Sequence, residues 1–418
     1  MDIGALGLYV CLFIGLYFEV FLLISFFEKK PVAKTSLTPK RYPTVAMIVP
    51  CFNEEQTVAS TIESLLAMEY PQDKLEIVVV DDGSTDNTAA IAQKYEQACH
   101  APGYAGAVVT YFYKENGGKY TALNFAIAHT TTELIGCLDA DSFAAHDALI
   151  EAIKEFEADP TAMAITPAMK VYRPRKVLEL MQAVEYTFGI FYKKMFDNLS
   201  AINVLPGPFS MYKREVFEKI GVFRHAHNTE DMEIAFRMHA NGLRIINAHT
   251  AFVYTTVPKS VRALLKQRTR WSQGFLQNAR DYKHMFFNPQ FGNFGMLVLP
   301  FGLTAFCAGL YTAGYALYRA VSLVAARVGD FFATGVPLHL PNAAHLSWYY
   351  IDTNTLSFVI LAVLLMTLVA IFLGSRISET HLSPKFFIAY FAFFGLIAPI
   401  WLARAAWGAL LARESAWR

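Results

Sequence analysis

Four long apolar runs bracket a central stretch of ordinary soluble composition, and one compact soluble domain cannot accommodate that pattern. The first run covers residues 3–27, and the others lie near 294–321, 356–374 and 386–411. Each is about as long as, or longer than, the ~20 residues a helix needs to cross a bilayer. They are the reason that 54% of the 418 residues are hydrophobic and only 17% charged. The first run is too long for a cleaved leader and no basic segment precedes it, so it reads as a span. Lys29, Lys30, Lys34, Lys40 and Arg41 follow at once. That basic flank predicts residue 30 onward on the cytoplasmic side of a multi-pass, inner-membrane protein. The loop of roughly 322–355 is then expected outside, and Arg376 and Lys385 inside again. Pro300 and its neighbouring glycines predict a kink or break in the second span. Glu19, inside the first span, is expected either to face other protein or a wet cavity, or to sit inert near a helix end.

Between the first and second runs the pattern alternates. Apolar, β-branched stretches at 44–49, 75–80, 108–113, 134–138 and 162–167 are separated by helical stretches such as 56–68 and the one running to Tyr95, for which Asp86 or Asn87 is a candidate cap. Such alternation predicts an α/β domain over residues 44–255, a Rossmann-like, mostly parallel sheet covered by helices. In such sheets ligands bind beyond the carboxyl ends of the strands. The net charge of +1 leaves no nucleic-acid footprint, and five scattered cysteines without a C-x-x-C pair predict neither disulfides nor a zinc site.

The chemistry-bearing residues fall at those strand ends. Leu134–Leu138 runs into Asp139-Ala-Asp141, two carboxylates that can point into one space. Converging carboxylates repel unless a cation lies between them, and a hard divalent ion completed by phosphate oxygens is the expected occupant; a solvated turn is the plain alternative. Asn53 and Glu54 follow the first strand, and Asp81-Asp82-Gly83-Ser84 the second. Lys119 follows Gly117-Gly118 at a helix start, placed to reach a phosphate. Thr229-Glu230-Asp231 opens a later helix, where Thr229 is a candidate N-cap and the acids suit the helix dipole. The helix through Val177, Met181, Val184, Phe188 and Phe191, with Lys193-Lys194, can lie on the membrane surface or pack in the core. Residues 256–290 read as basic, amphipathic interface helices carrying Gln267, Arg270 and Trp271. His225, His227, His239 and His249 fit no ligand spacing.

Four ordered signatures carry a resemblance: Asp81-Asp82-Gly83-Ser84, Asp139-Ala-Asp141, Thr229-Glu230-Asp231 and Gln267-Arg-Thr-Arg270-Trp271. Over roughly residues 44–285 the chain resembles glycosyltransferase family 2, and the last signature is similar to the Q-x-x-R-W pattern of its membrane-embedded processive branch, the poly-N-acetylglucosamine, chitin, hyaluronan and cellulose synthases. The resemblance implies an A-type glycosyltransferase fold flanked by transmembrane helices, and an inverting, metal-dependent transfer from a UDP-sugar, UDP-GlcNAc or UDP-Glc, to a growing glycan. It implies Asp231, beside Glu230, as the base, and Mg²⁺ or Mn²⁺ on Asp141 and Asp139. Nucleotide contacts would come from Asn53, Glu54, Asp81, Asp82, Lys119 and Asp139. Gln267, Arg270 and Trp271 would serve the diphosphate and acceptor. The partners implied are the donor, the glycan and the lipid bilayer, with no nucleic acid and an accessory subunit left open. A glycolipid synthase that adds one sugar to a membrane lipid is the alternative.

Overall fold

The computed structural model describes residues 3–28, 38–335 and 355–411. Lys29, Lys30 and Lys34, and positions 336–354 of the expected external loop, lie outside the described residues. Helix α1 is Ile3–Glu28. The central region then alternates through β1 (Val45–Cys51), α2 (Val58–Leu66), β2 (Leu75–Asp81), α3 (Thr88–Cys99), β3 (Val108–Tyr113), α4 (Lys119–His129) and β4 (Leu134–Cys137). Beyond Asp141 come β5 (Ser142–Ala144), α5 (Ala148–Ala158), β6 (Ala162–Val171), α6 (Val177–Asn198), β7 (Met211–Lys213) and α7 (Arg214–Ile220). Then follow α8 (Glu230–Ala240), β8 (Arg244–Thr255), α9 (Val261–Asp281), α10 (Leu299–Thr334), α11 (Thr355–Ile377) and α12 (Pro384–Leu410).

The eight strands form one sheet in the order β3-β2-β1-β4-β7-β6-β8-β5. The first four are parallel neighbours, as the alternation predicts. The rest is mixed: β7 runs antiparallel to both β4 and β6, and β5 antiparallel to β8. Pleating sends alternate residues to opposite faces. Met47, Val49, Ile77 and Val79 pack under α2, α3 and α5, whereas Ile48, Val78 and Val80 pack under α4, α7 and α8. Burying both faces explains why these strands read as continuous apolar runs.

Among the described residues four helices are long and apolar enough to cross a membrane: Ile3–Phe27, Phe294–Thr334, Thr355–Ile377 and Pro384–Leu410. They expose Phe13, Leu317, Phe332, Phe358, Leu396 and Trp407, surface that lipid satisfies and water does not. The second span corrects one expectation. It does not end near residue 321 but continues unbroken to Thr334, where Gly335 (φ 67°) stops it. Pro300 follows closely on a π-turn, so an irregularity does fall beside it, as expected. The irregular stretch is the π-turn Phe294–Val298 just before it. Glu19 does face protein: the Thr367 hydroxyl of α11 donates to its Oε1 at 3.1 Å.

Helices α6 and α9 couple the sheet domain to the spans. Leu180, Met181 and Val184 of α6 and Leu264 and Leu265 of α9 share a core with Ile371, Tyr390 and Trp401. Ser260 starts α9 by accepting a hydrogen bond from the Ala263 N–H at 3.3 Å. The amphipathic segments therefore pack into the molecule.

Candidate active site

The carboxyl ends of β1, β2, β3 and β4 lie side by side, and the loops that leave them hold each other. Asn53, in a left-handed conformation (φ 55°), accepts from the Thr85 N–H at 2.8 Å, and its own N–H donates to Ser84 Oγ at 2.9 Å. Glu54 Oε2 accepts from the Thr57 hydroxyl at 2.9 Å. Asn87 is the N-cap residue of α3 but makes no side-chain capping bond; Asp86 before it supplies one, its Oδ1 accepting from the Thr88 N–H at 2.9 Å. Asp81 and Asp82 are buried. Asp81 accepts from the Ser84 N–H at 2.8 Å and from the Tyr111 hydroxyl at 3.1 Å. Asp82 pairs with Lys114 and accepts from the N–H groups of Gly117 (3.0 Å) and Gly118 (2.8 Å). Gly118, at φ 90°, makes the bend that α4 needs to begin at Lys119. Asp82 thus fixes the loop that presents Lys119.

Lys119 is the centre of an acid cluster. Its Nζ lies 2.5 Å from Asp139 Oδ1 and 3.5 Å from Glu230 Oε1. Burial opposes its charge, yet Asp139, Glu230 and Asp231 outweigh that penalty and raise its pKa. A Cβ on Gly207 would land against the Lys119 ammonium and the Asp139 carboxylate, so the Pro206-Gly-Pro turn closes over this pair. Asp231 is pushed up to about 6, first by burial and then by Glu230, against the pull of Lys119 and Arg270. Its Oδ1 accepts from the Met232 N–H at 2.9 Å. Asp141 is also pushed up to about 6, by burial first and then by Asp139 and Glu54, and accepts from the Ser142 hydroxyl at 3.2 Å. Asp139 and Glu230 therefore contact one ammonium, Asp231 acts on the same charge, and Asp141 lies beside Asp139.

That donor set suits a hard cation. Asp141 is a carboxyl short of positive charge beside a second carboxylate, and both offer oxygen alone. Among the described residues no group of three or more His, Cys, Asp or Glu could hold a metal by itself. A divalent ion here would take one or two carboxylates and complete its shell with ligand oxygens, as Mg²⁺ sites do.

Helix α9 closes the cleft. Arg270 Nη1 donates to the Asn228 carbonyl at 2.8 Å, and its charge acts on Asp231. Gln267 and Trp271 are both engaged with the residue between them in the chain. Arg268 is buried, donates to Gln267 Oε1 at 2.7 Å and Glu185 Oε2 at 2.9 Å, and lies 4.2 Å above the Trp271 ring. One face of Trp271 is thereby covered. Thr229 is the N-cap residue of α8 as expected, but its side chain makes no capping bond: the hydroxyl donates to the Ala226 carbonyl at 3.0 Å and accepts from Asn278 at 2.9 Å.

Sequence reasoning missed Glu185 and Lys114 altogether, and missed the site contacts of Arg268, Gly207 and Lys193. The i,i+3 spacing of Arg268 and Trp271 was an available signal. Lys193 donates to Thr166 Oγ1 at 3.1 Å from inside the protein, and burial lowers its pKa to about 8 while Asp231 pulls it up. Nothing local in the sequence marks it.

Two family descriptions match: "Glycosyl transferase family 2" over residues 46–221 and "Glycosyl transferase family group 2" over 134–374. The poly-beta-1,6-N-acetyl-D-glucosamine synthase of Staphylococcus epidermidis is 31% identical over 272 residues, 64% of each chain. That of Staphylococcus aureus strain COL is 31% identical over 231 residues, 55% of this chain and 54% of the relative. The matched segment thus spans 64% or less of the relatives' length. A mannosyltransferase from Pyrobaculum calidifontis, solved in complex with GDP-Man and Mn²⁺, shares the fold with a TM-score of 0.65 at 24% identity, over 98% of this chain and 99% of that one.

Proposed function

The chain belongs to glycosyl transferase family 2, and on that premise we propose that it is an inverting, processive β-glycosyltransferase. It takes UDP-N-acetylglucosamine or UDP-glucose as donor, elongates a polysaccharide on the cytoplasmic face of the inner membrane, and passes the product across. The observation that carries this reading is the meeting of Asp139, Glu230 and Asp231 at Lys119, with Asp141 beside Asp139, near helices that pack on the spans. The likeness to poly-beta-1,6-N-acetyl-D-glucosamine synthases supports the polymer product.

Inversion is one displacement. The acceptor hydroxyl attacks the anomeric carbon, the bond to the diphosphate breaks, and the nucleotide leaves with its electron pair. Asp231 takes the hydroxyl proton, with Glu230 beside it. The negative charge that develops on the diphosphate needs fixed positive charge in a dry site, and Lys119 and Arg270 supply it. Asp139 and Asp141 would hold Mg²⁺ or Mn²⁺, whose chemistry is to neutralise the leaving diphosphate further. Asn53, Glu54, Asp81 and Asp82 shape the nucleotide end, the last two through the loops they pin. Gln267, Arg270 and Trp271 form the wall toward the acceptor, held by Arg268.

Because α9 packs directly on α12, a lipid-borne acceptor also has access, and a single-addition glycolipid synthase is the second reading. Incubating membranes with a panel of UDP-sugars and Mg²⁺ or Mn²⁺, then sizing the product, tests both. A ladder of oligomers supports polymer synthesis, a lipid with one added sugar supports the second reading, and no transfer from any donor rejects both.

A further inference from the structure

Beside the acid-lined cleft, a cavity of about 480 Å³ opens between the turn at 224–228 and the end of α9. Arg224, His225, His227, Glu233, Asp281 and Tyr282 line it, and none of Lys119, Asp139, Asp141, Glu230 or Asp231 does. Its size is that of a small-ligand site. The charges in its walls are already matched. Arg224 Nη1 lies 3.6 Å from Glu233 Oε1, Arg237 lies 2.9 Å from Glu233 Oε2, and His227 Nε2 lies 2.8 Å from Asp281 Oδ2. The Tyr282 hydroxyl donates to Glu233 Oε1 at 2.7 Å. A phosphate or nucleotide would find no surplus positive charge here. A neutral ligand rich in hydroxyls would find carboxylate acceptors, guanidinium and imidazole donors, and a phenol ring.

One wall of the cavity is strained. Ala226, His227 and Asn228 take φ values of 44°, 56° and 61° in succession, a region that residues with a Cβ avoid. The turn leads directly into Thr229, Glu230 and Asp231. It is tied from outside at three points: Arg270 to the Asn228 carbonyl (2.8 Å), Asn278 to the Thr229 hydroxyl (2.9 Å) and His227 to Asp281 (2.8 Å). Strained backbone persists where its surroundings over-determine it, and such segments cluster at functional sites. The third tie is itself part of the cavity wall, so a ligand there would touch the bond that holds the turn.

We propose that this cavity is a second saccharide site, taking a neutral sugar, and that its occupancy sets the placement of Asp231 through the 226–228 turn. The coupling to Asp231 rests on the sugar-transfer reading; the binding does not. The sugar comes from the growing chain or from free sugar in solution.

The test uses the full-length protein in lipid nanodiscs, with donor absent, and measures binding of a neutral N-acetylglucosamine trisaccharide by calorimetry. Arg224→Ala combined with Asp281→Ala removes two wall groups whose side chains are 62% and 49% exposed, so the core stays closed. Affinity is expected to fall by about tenfold or more in a protein that still melts cooperatively. Tyr282→Phe, which deletes only the hydroxyl, is expected to weaken binding less, by about threefold. No binding by the unsubstituted protein, or binding that neither variant weakens, overturns the site. Donor turnover then tests the coupling. The trisaccharide is expected to raise the initial rate of the unsubstituted protein and not that of the double variant; a rate indifferent to the sugar overturns the coupling. If free sugar is the source, the stimulation persists throughout the reaction; if the growing chain is, it vanishes once product has formed. Absence of donor turnover in every protein would reject the sugar-transfer reading, and the calorimetry would still decide the site.

Discussion

The ammonium of Lys119 lies 2.5 Å from Asp139 Oδ1, which ties the start of α4 to the acids that follow β4. It also reaches Glu230 on α8, so three elements distant in sequence meet at one cation. Removing that cation strands buried carboxylates. Lys119→Met is therefore expected to cost about 3 kcal/mol of stability, the scale for breaking a buried ion pair by deleting one partner. Donor turnover should fall by about a hundredfold or more, because the same charge faces the developing anion. Thermal melting and turnover on one preparation check both. A variant that keeps its rate would remove Lys119 from the chemistry.

Asp231 predicts a pH profile. A base must be deprotonated to work, and burial with Glu230 lifts this carboxyl from its ordinary 3.8 to about 6. The kcat/KM should therefore drop as pH falls through about 6. The stability sign is the opposite. A carboxyl whose pKa is higher folded than unfolded adds stability below its unfolded pKa and loses it as pH rises through the folded one. Asp231→Asn should reduce kcat by about 10²–10⁴ and make the protein more stable near neutral pH. Initial rates at saturating donor and melts from pH 5 to pH 8 check it.

The parallel half of the sheet was legible because strands buried on both faces are apolar throughout, and Val45–Cys51 and Leu134–Cys137 are. Strand β8 was not, since Asn247, His249 and Thr250 interrupt it where it bulges against β6. The acids at 139, 141, 230 and 231 stood out because each follows or opens a regular element. Their partners did not. Arg268 reads as one more basic residue on an amphipathic helix until Glu185, far earlier in the chain, is seen beneath it. Gly207 reads as a turn glycine, and only the sheet order brings it onto Lys119 and Asp139. Long-range pairing is the kind of information that local periodicity lacks.

Gly207 gives a sharper test of the cleft than deletion does. A methyl group at this position would meet side-chain ends, not backbone, so the fold can adjust while the Lys119–Asp139 pair cannot stay in place. Gly207→Ala is expected to lower kcat by about tenfold while shifting stability by less than about 1 kcal/mol, since flexible side-chain tips yield at low cost. Equal activity in the variant would mean that the pair moves freely during turnover.

Arg268 is expected to act through Trp271. Its guanidinium covers one face of that ring and is neutralised by Glu185. Arg268→Met leaves the Glu185 carboxylate without its partner and frees the indole to turn, at a cost of about 3 kcal/mol. Glu185→Gln combined with Arg268→Met removes both charges and should recover part of the stability, because a pair replaced by neutral groups is far less costly than a pair broken. The indole, however, remains unsupported in the double variant. If Trp271 serves the acceptor, the double variant melts above the single variant but keeps a raised KM for acceptor at unchanged donor KM. Recovery of the acceptor KM together with stability would show that the Arg268–Glu185 pair is purely structural.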